Sequence, residues 1–386
     1  MELIGQWLLV AAAIGIGWFI GYRQKKKVSG KAAENRSAKY PKTLQYLFEA
    51  YDAPTLDSFL QELEVNRHTI QLHLSIANYY RRKGEIEKAT SIHQNLLSHP
   101  EARLQHAHQL TYELAQDYMV AGLYDRAEAL FIELSSERLW KQRCIESLLE
   151  IYEHEKDWDI ALERALTLDL KRDKGLQKRV AQYCCELADR NIRRKDYAEA
   201  RKFLKEALNH DKGCVRASLQ MARVCIATEQ FPEALGELKR IEQQDPVFLT
   251  EAIDLIVEIC MVTQDRDKLV RILQRIWEIQ PSANVMVTLA AQLGQSSDSQ
   301  NAIEFLLRQL DEHPTLGGVR TLLELLAPFA EPETKRWVQI IKGVLESLLE
   351  KNQDYCCTNC GFSGRHMHWQ CPSCKTWGNI KPLPWV

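Results

Sequence analysis

The sequence predicts an all-α chain: an α-solenoid of paired helices with an N-terminal transmembrane helix and a small C-terminal cysteine module. Three observations carry this reading. Small and apolar residues return in one register along the middle of the chain, at Ala77, Ala115, Leu149, Ala188 and Ala222. Residues 3–22 contain no charged side chain, and residues 357–374 contain two C-x-x-C pairs. At 386 residues the chain exceeds one ordinary globular domain, so several units or a repeat array are expected. Hydrophobic content of 45% and charged content of 26% are those of folded protein and argue against long disorder. A net charge of -2 supplies no basic face, which sets nucleic acid aside as a main partner.

Leu3 to Tyr22 is the first element. Twenty residues at 1.5 Å each span about 30 Å, the thickness of a bilayer's hydrocarbon core. Trp7, Trp18 and Tyr22 stand toward its ends, where interfacial aromatics are favoured. Arg23, Lys25, Lys26 and Lys27 follow at once, so the positive-inside rule places the N-terminus outside and the rest of the chain in the cytoplasm. A cleaved signal peptide would carry its basic residues before the apolar run and a small-residue site at its end; Ala11 to Ala13 lie mid-segment instead. Gly17 and Gly21 give a G-x-x-x-G spacing through which two anchors can pack, which puts a homodimer among the expected assemblies.

The repeats come next. Ala77, Tyr80, Gly84, Ile86, Ala89, His93 and Leu96 return as Ala115, Tyr118, Gly122, Tyr124, Ala127, Phe131 and Leu134. The pattern recurs from Leu149 to Leu168, from Ala188 to Ala207 and from Ala222 to Ile241, with steps of 38, 34, 39 and 34 residues. It resembles the tetratricopeptide repeat, a helix-turn-helix unit with a period near 34 residues. Alanines such as Ala77 and Ala89 let the two helices approach, and Gly84 and Gly122 fall at the turn. Pro246, Pro281 and Pro314 mark later unit ends, with degenerate units at Cys260–Ile276 and Ala290–Leu306 and a weak pair at 40–65. The register assigns Leu74, Asn78, Arg81, Tyr112, Gln116, Leu219 and Arg223 to the concave wall. Repeat proteins that clamp a chaperone's C-terminal carboxylate pair Lys with Asn there; Leu74 beside Asn78 argues against that partner class.

Two more helices are expected between Gly317 and Glu350, broken near Pro328 and Pro332, the second amphipathic. It runs without a flexible linker into Cys357, Cys360, Cys371 and Cys374. Four thiolates on two knuckles suit one tetrahedral metal ion, and a module too small for a core would draw folding energy from it. Zinc is favoured and iron possible, since rubredoxins hold iron in the same shell. Trp369, Trp377 and Phe362 are expected to wall the site from water, His366 and His368 to be exposed, and the module to close the far tip of the stack. Cys144, Cys184, Cys185, Cys214, Cys225 and Cys260 lie in helical sequence as small hydrophobes, as a reducing compartment allows.

The domains so read are 1–22, the anchor; 23–39, a basic juxtamembrane linker; 40–316, the repeats; 317–352, the C-terminal helices; and 353–386, a rubredoxin-like zinc knuckle. This combination resembles the lipopolysaccharide assembly protein B family of Gram-negative bacteria. The residues that carry the likeness are Tyr355-x-Cys357-x-x-Cys360-Gly361-Phe362, Trp369-x-Cys371-Pro372-Ser373-Cys374, Ile380-Lys381-Pro382, and Arg81 to Glu85 with Ile92 to Leu96. The resemblance implies an inner-membrane adaptor, single-pass, with its bulk in the cytoplasm. It implies as partners an FtsH-type membrane protease, the lipid A pathway deacetylase whose proteolysis it promotes, and other inner-membrane lipopolysaccharide regulators. A general envelope scaffold or chaperone, or an iron-loaded electron carrier, are the competing classes. An enzyme is not expected: His154-Glu155 opens like a zincin motif, but Trp158 stands where the second histidine must be.

Overall fold

The computed structural model describes residues 53–294 and 299–385. The segment read as an anchor, the linker and the start of the weak first pair lie outside these residues. Among the described residues no helix is long and apolar enough to cross a membrane. The chain divides into two compact units, Met1–Glu155 and Lys156–Val386.

In the first unit, α1 (Ala53–Glu62) precedes the hairpins α2 (Ile70–Lys83) with α3 (Ile86–Ser98) and α4 (Pro100–Val120) with α5 (Tyr124–Leu134), and α6 (Lys141–Glu155) follows. The second unit opens with α7 (Trp158–Leu166). It continues with α8 (Lys174–Arg193) and α9 (Tyr197–His210), α10 (Val215–Ala227) and α11 (Phe231–Gln244), then α12 (Leu249–Val262) and α13 (Arg266–Ile279). α14 (Ala283–Gly294), α15 (Ser299–Glu312), α16 (Leu316–Leu326) and α17 (Pro332–Leu349) complete the helical part. The helices are those of a tetratricopeptide-like array, and α12 with α13 keeps the hairpin form where a degenerate unit is expected.

The hairpins share one packing rule. Ala77, Ala89, Ala115, Ala127, Ala161, Ala188, Ala200, Ala222 and Ala234 are all fully buried. A methyl at these positions lets neighbouring backbones come close, while Leu96, Phe131 and Leu204 fill the space below. The turns are equally repetitive. Gly84 and Gly122 have φ of 84° and 73°, and Lys156, Lys195, Glu229 and Gln264, at the equivalent positions, have φ of 63°, 62°, 58° and 55°. The next residue's N–H reaches back to close the helix: Glu85 to the Tyr80 carbonyl, Leu123 to Tyr118, Asp196 to Asn191, Gln230 to Cys225 and Asp265 to Cys260, at 2.8–3.0 Å. This is the Schellman end, which needs one left-handed residue to satisfy the last carbonyls. The sequence shows it only where that residue is glycine.

The concave-wall assignment needs correction at three positions. Leu74 and Leu219 are buried at 2% and 4% exposure, so they belong to the core. Arg81 is held by Glu113 at 2.5 Å and Asp117 at 3.0 Å. Asp117 turns its other oxygen to His93 Nδ1 at 2.5 Å, and neither His93 nor Asp117 is exposed. Arg81 thus serves the joint between α2 and α4, because a buried carboxylate needs a cation.

The left-handed turn makes a direct prediction. A Cβ added at Gly84 or Gly122 meets nothing within 4 Å, so its cost is conformational alone. Gly84→Ala is expected to lose about 1 kcal/mol in chemical denaturation. Glu229→Gly, which removes the same strain, should lose less; equal losses would reject the turn as the cause.

Candidate metal centre and its docking surface

The last residues leave helical structure because their hydrogen bonds go into two knuckles. β1 (Tyr355–Cys357), β2 (Ser363–Gly364) and β3 (Ile380–Pro382) form an antiparallel sheet in the order β2-β1-β3. Register pairs Cys356 with Ser363 on one side and with Lys381 on the other. Each C-x-x-C turns in the same way. The Gly361 N–H donates to the Cys357 carbonyl at 2.9 Å, and the Lys375 N–H to the Cys371 carbonyl at 2.9 Å. The Cys357 N–H donates to Phe362 and the Cys371 N–H to Thr376. Gly361 and Lys375 both take positive φ, 77° and 57°. Two copies of one turn therefore face each other and aim four sulfurs at a common point.

Those sulfurs, from Cys357, Cys360, Cys371 and Cys374, lie within 4.8 Å of one another. Cys357 Sγ is 3.8 Å from Cys374 Sγ, and Cys360 Sγ is 3.7 Å from Cys371 Sγ. A tetrahedral ion with bonds of about 2.3 Å to sulfur has edges of about 3.8 Å, so the set fits one such ion. The side chains of Asn359 and Thr376 hold Cys374 down to about 5, whereas burial pushes Cys371 up to about 11. A metal ion held by these sulfurs would allow both to be thiolates at once. Cys356 has its sulfur 3.8 Å from the Cys357 carbonyl and stands outside the four-sulfur group, since strand alternation turns it to the other face. His366 and His368 are exposed.

Phe362 packs against the buried set of Cys357, Cys371 and Ile380 as expected. The two tryptophans do not wall the metal site; they dock the module. Trp369 stacks on Phe248 with ring centroids 5.5 Å apart, and the Arg216 guanidinium lies 5.9 Å from its ring centre. Trp377 meets Trp158 and Tyr183 edge-on at 5.9 and 6.4 Å. Tyr355 donates to Glu251 at 2.9 Å, Lys381 pairs with Asp245, and the Ala283 N–H donates to the Pro384 carbonyl at 2.7 Å. Trp385 stacks on His313 at 4.1 Å. The module is fixed against the repeats, as the missing linker suggests, but it does not close the far tip. It folds back across α7, α8, α10, α12 and α14. Sequence reasoning missed Trp158, Tyr183, Arg216, Phe248 and Glu251 as its platform. The signal was thin: these are aromatic or charged residues, most of them near helix starts and Tyr183 in the middle of α8.

Between module and helices lies a cavity of 330 Å³ lined by Arg223, Glu251, Asp254, Asp354 and Tyr355 among others. Burial raises Glu251 and Asp354 above the usual carboxylate range.

This fold and site define a class: helical-repeat proteins that carry a rubredoxin-type metal ribbon. Comparison with known proteins agrees. A tetratricopeptide repeat family model matches residues 192–256, and a rubredoxin metal binding domain model matches residues 355–382. Lipopolysaccharide assembly protein B of Escherichia coli (strain K12) is 29% identical over 385 residues, covering 99% of this chain and 98% of that protein. The protein of the same name from Haemophilus influenzae is 27% identical, covering 97% of each. The chain is thus similar to lipopolysaccharide assembly protein B along nearly the whole of both sequences. Among solved structures, the C-terminal part of a TPR repeat-containing protein from Cytophaga hutchinsonii aligns with a TM-score of 0.42 and 11% identity, over 64% of this chain and 99% of that one.

Two expectations follow. Purified protein should contain about one metal ion per chain, and Cys357→Ser with Cys360→Ser should abolish it and lower the melting temperature of the second unit; unchanged melting would reject a structural metal. Glu251 binds its proton more tightly folded than unfolded, where the ordinary value is 4.5. Its contribution to stability is full below 4.5 and is lost as pH rises through the raised folded value. Glu251→Gln should flatten that part of a melting-temperature profile, and an unchanged slope would exclude Glu251 as its source.

Proposed function

We propose that this chain is a regulator of lipopolysaccharide assembly that works by binding and not by catalysis. In this reading residues 1–22 anchor it in the bacterial inner membrane, with the N-terminus periplasmic and the repeats and metal ribbon in the cytoplasm. The repeats hold the lipid A pathway deacetylase and bring it to an FtsH-type membrane protease. Sharing one membrane raises the effective concentration of adaptor and protease without any new contact. Zinc is the proposed ion, as a brace for the ribbon.

The observation that carries the reading is similarity to lipopolysaccharide assembly protein B over 99% of this chain and 98% of the Escherichia coli protein. The docking of the ribbon supports it in physical terms. Aromatic stacking on Phe248, Trp158 and Tyr183 ties the ribbon to the helices and makes one surface of both. That suits a recognition scaffold better than an electron shuttle.

The deciding measurement is the deacetylase half-life in cells. It should lengthen when this chain is depleted and return with the full chain. A version lacking residues 1–22, at native abundance, should not restore it. An unchanged half-life on depletion would leave the scaffold or chaperone reading in its place, and rescue by the truncated chain would remove the tether from the mechanism.

A further inference from the structure

Six buried cysteines lie outside the metal ribbon among the described residues, and two of them touch. Cys185, inside α8, has its sulfur 3.8 Å from that of Cys214. Cys214 is the residue that caps the N-terminus of α10, a helix of 13 residues. Its sulfur accepts from the Gln182 side-chain amide at 3.6 Å. Gln182 in turn accepts from Arg216 at 3.4 Å, and Arg216 pairs with Glu186 at 2.9 Å and lies over Trp369. The pair is therefore hydrogen-bonded into the platform on which the metal ribbon sits.

The remaining buried thiols are inert by comparison. Burial pushes Cys144 up to about 11 and Cys184 up to about 12. Cys214 moves the other way: its contact with the Cys185 sulfur, helped by the Ala217 N–H, lowers it against the cost of burial. Burial and that same contact push Cys185 up. Cys214 at a helix N-terminus, with the Cys185 sulfur against it, has the placement of an attacking cysteine beside a resolving one.

We propose that Cys185 and Cys214 are a modification site, a thiol pair that hydrogen peroxide converts to a reversible disulfide. The Cys214 thiolate attacks one peroxide oxygen; an S–O bond forms, the O–O bond breaks, and the departing hydroxide takes a proton to leave as water. Cys185 then attacks the Cys214 sulfur. The S–S bond forms, the S–O bond breaks, and the hydroxide leaves as water with the proton that Cys185 gives up. Two electrons pass from the sulfurs to the peroxide. The sulfurs must close from 3.8 Å to about 2 Å for the bond to form. An external dithiol reverses the bond by exchange.

The test uses the full-length, zinc-loaded protein treated with hydrogen peroxide, then denatured, alkylated and mapped by mass spectrometry. Fragment ions must separate Cys184 from Cys185. A Cys185–Cys214 cross-link should form about tenfold faster than oxidation of Cys144 or Cys184, and dithiothreitol should reverse it. Cys184→Ser should keep the cross-link, and Cys214→Ser should leave Cys185 open to alkylation. Full alkylation of both residues after peroxide treatment, or a cross-link through Cys184, would overturn the proposal. The wild-type map decides the matter even if a variant fails to fold.

Discussion

Two helices in a hairpin approach only as closely as their smallest facing side chains allow, and here that side chain is alanine. Ala77 and Ala89, Ala115 and Ala127, Ala188 and Ala200, and Ala222 and Ala234 are each fully buried where paired helices meet. A larger residue at any of them would push the pair apart and open the layer of Leu and Phe below. The left-handed turn follows from the same closeness. Two helices held this near leave a short connection, and the Schellman end satisfies the last carbonyls within it. Glycine meets that demand without strain at Gly84 and Gly122. Lys156, Lys195, Glu229 and Gln264 meet it at a conformational cost that the buried layer offsets.

The ribbon obeys a different logic. It has three short strands and a buried set of Cys357, Cys371, Ile380 and Pro382, far too little apolar area to fold alone. Two external supports replace a core. One is the four-sulfur cluster, whose edges of 3.7 and 3.8 Å match a tetrahedral ion. The other is the set of rings that Trp369, Trp377 and Trp385 stack against the helices. The two supports are linked, since an ion held by the four sulfurs would fix the knuckles that aim Trp369 and Trp377.

Cysteine does three separate jobs in one chain. The ribbon sulfurs sit on turns whose N–H groups point toward them. Most helix cysteines are buried among apolar side chains, and burial keeps them protonated. Cys214 differs because a helix begins just after it and Cys185 lies against it. Chemistry here is decided by each sulfur's surroundings and not by residue type.

The sequence by itself determined what depends on local spacing. Alanine, aromatic and glycine positions recurring in one register fixed the hairpins, since helix pairing within a repeat needs only residues close along the chain. The C-x-x-C pairs fixed the knuckles for the same reason. Tertiary structure alone decided where the ribbon sits. The bond from Tyr355 to Glu251 joins positions 104 apart, and that from Lys381 to Asp245 joins positions 136 apart. No periodicity reports such contacts, because they depend on how several hairpins stack between the partners. The same limit hid the contact of Cys185 with Cys214, and made Trp369 and Trp377 read as a wall around sulfur when they face the helices. A tryptophan in a small ribbon will bury its ring against whatever apolar surface the fold brings to it, and only the stacked helices reveal that surface.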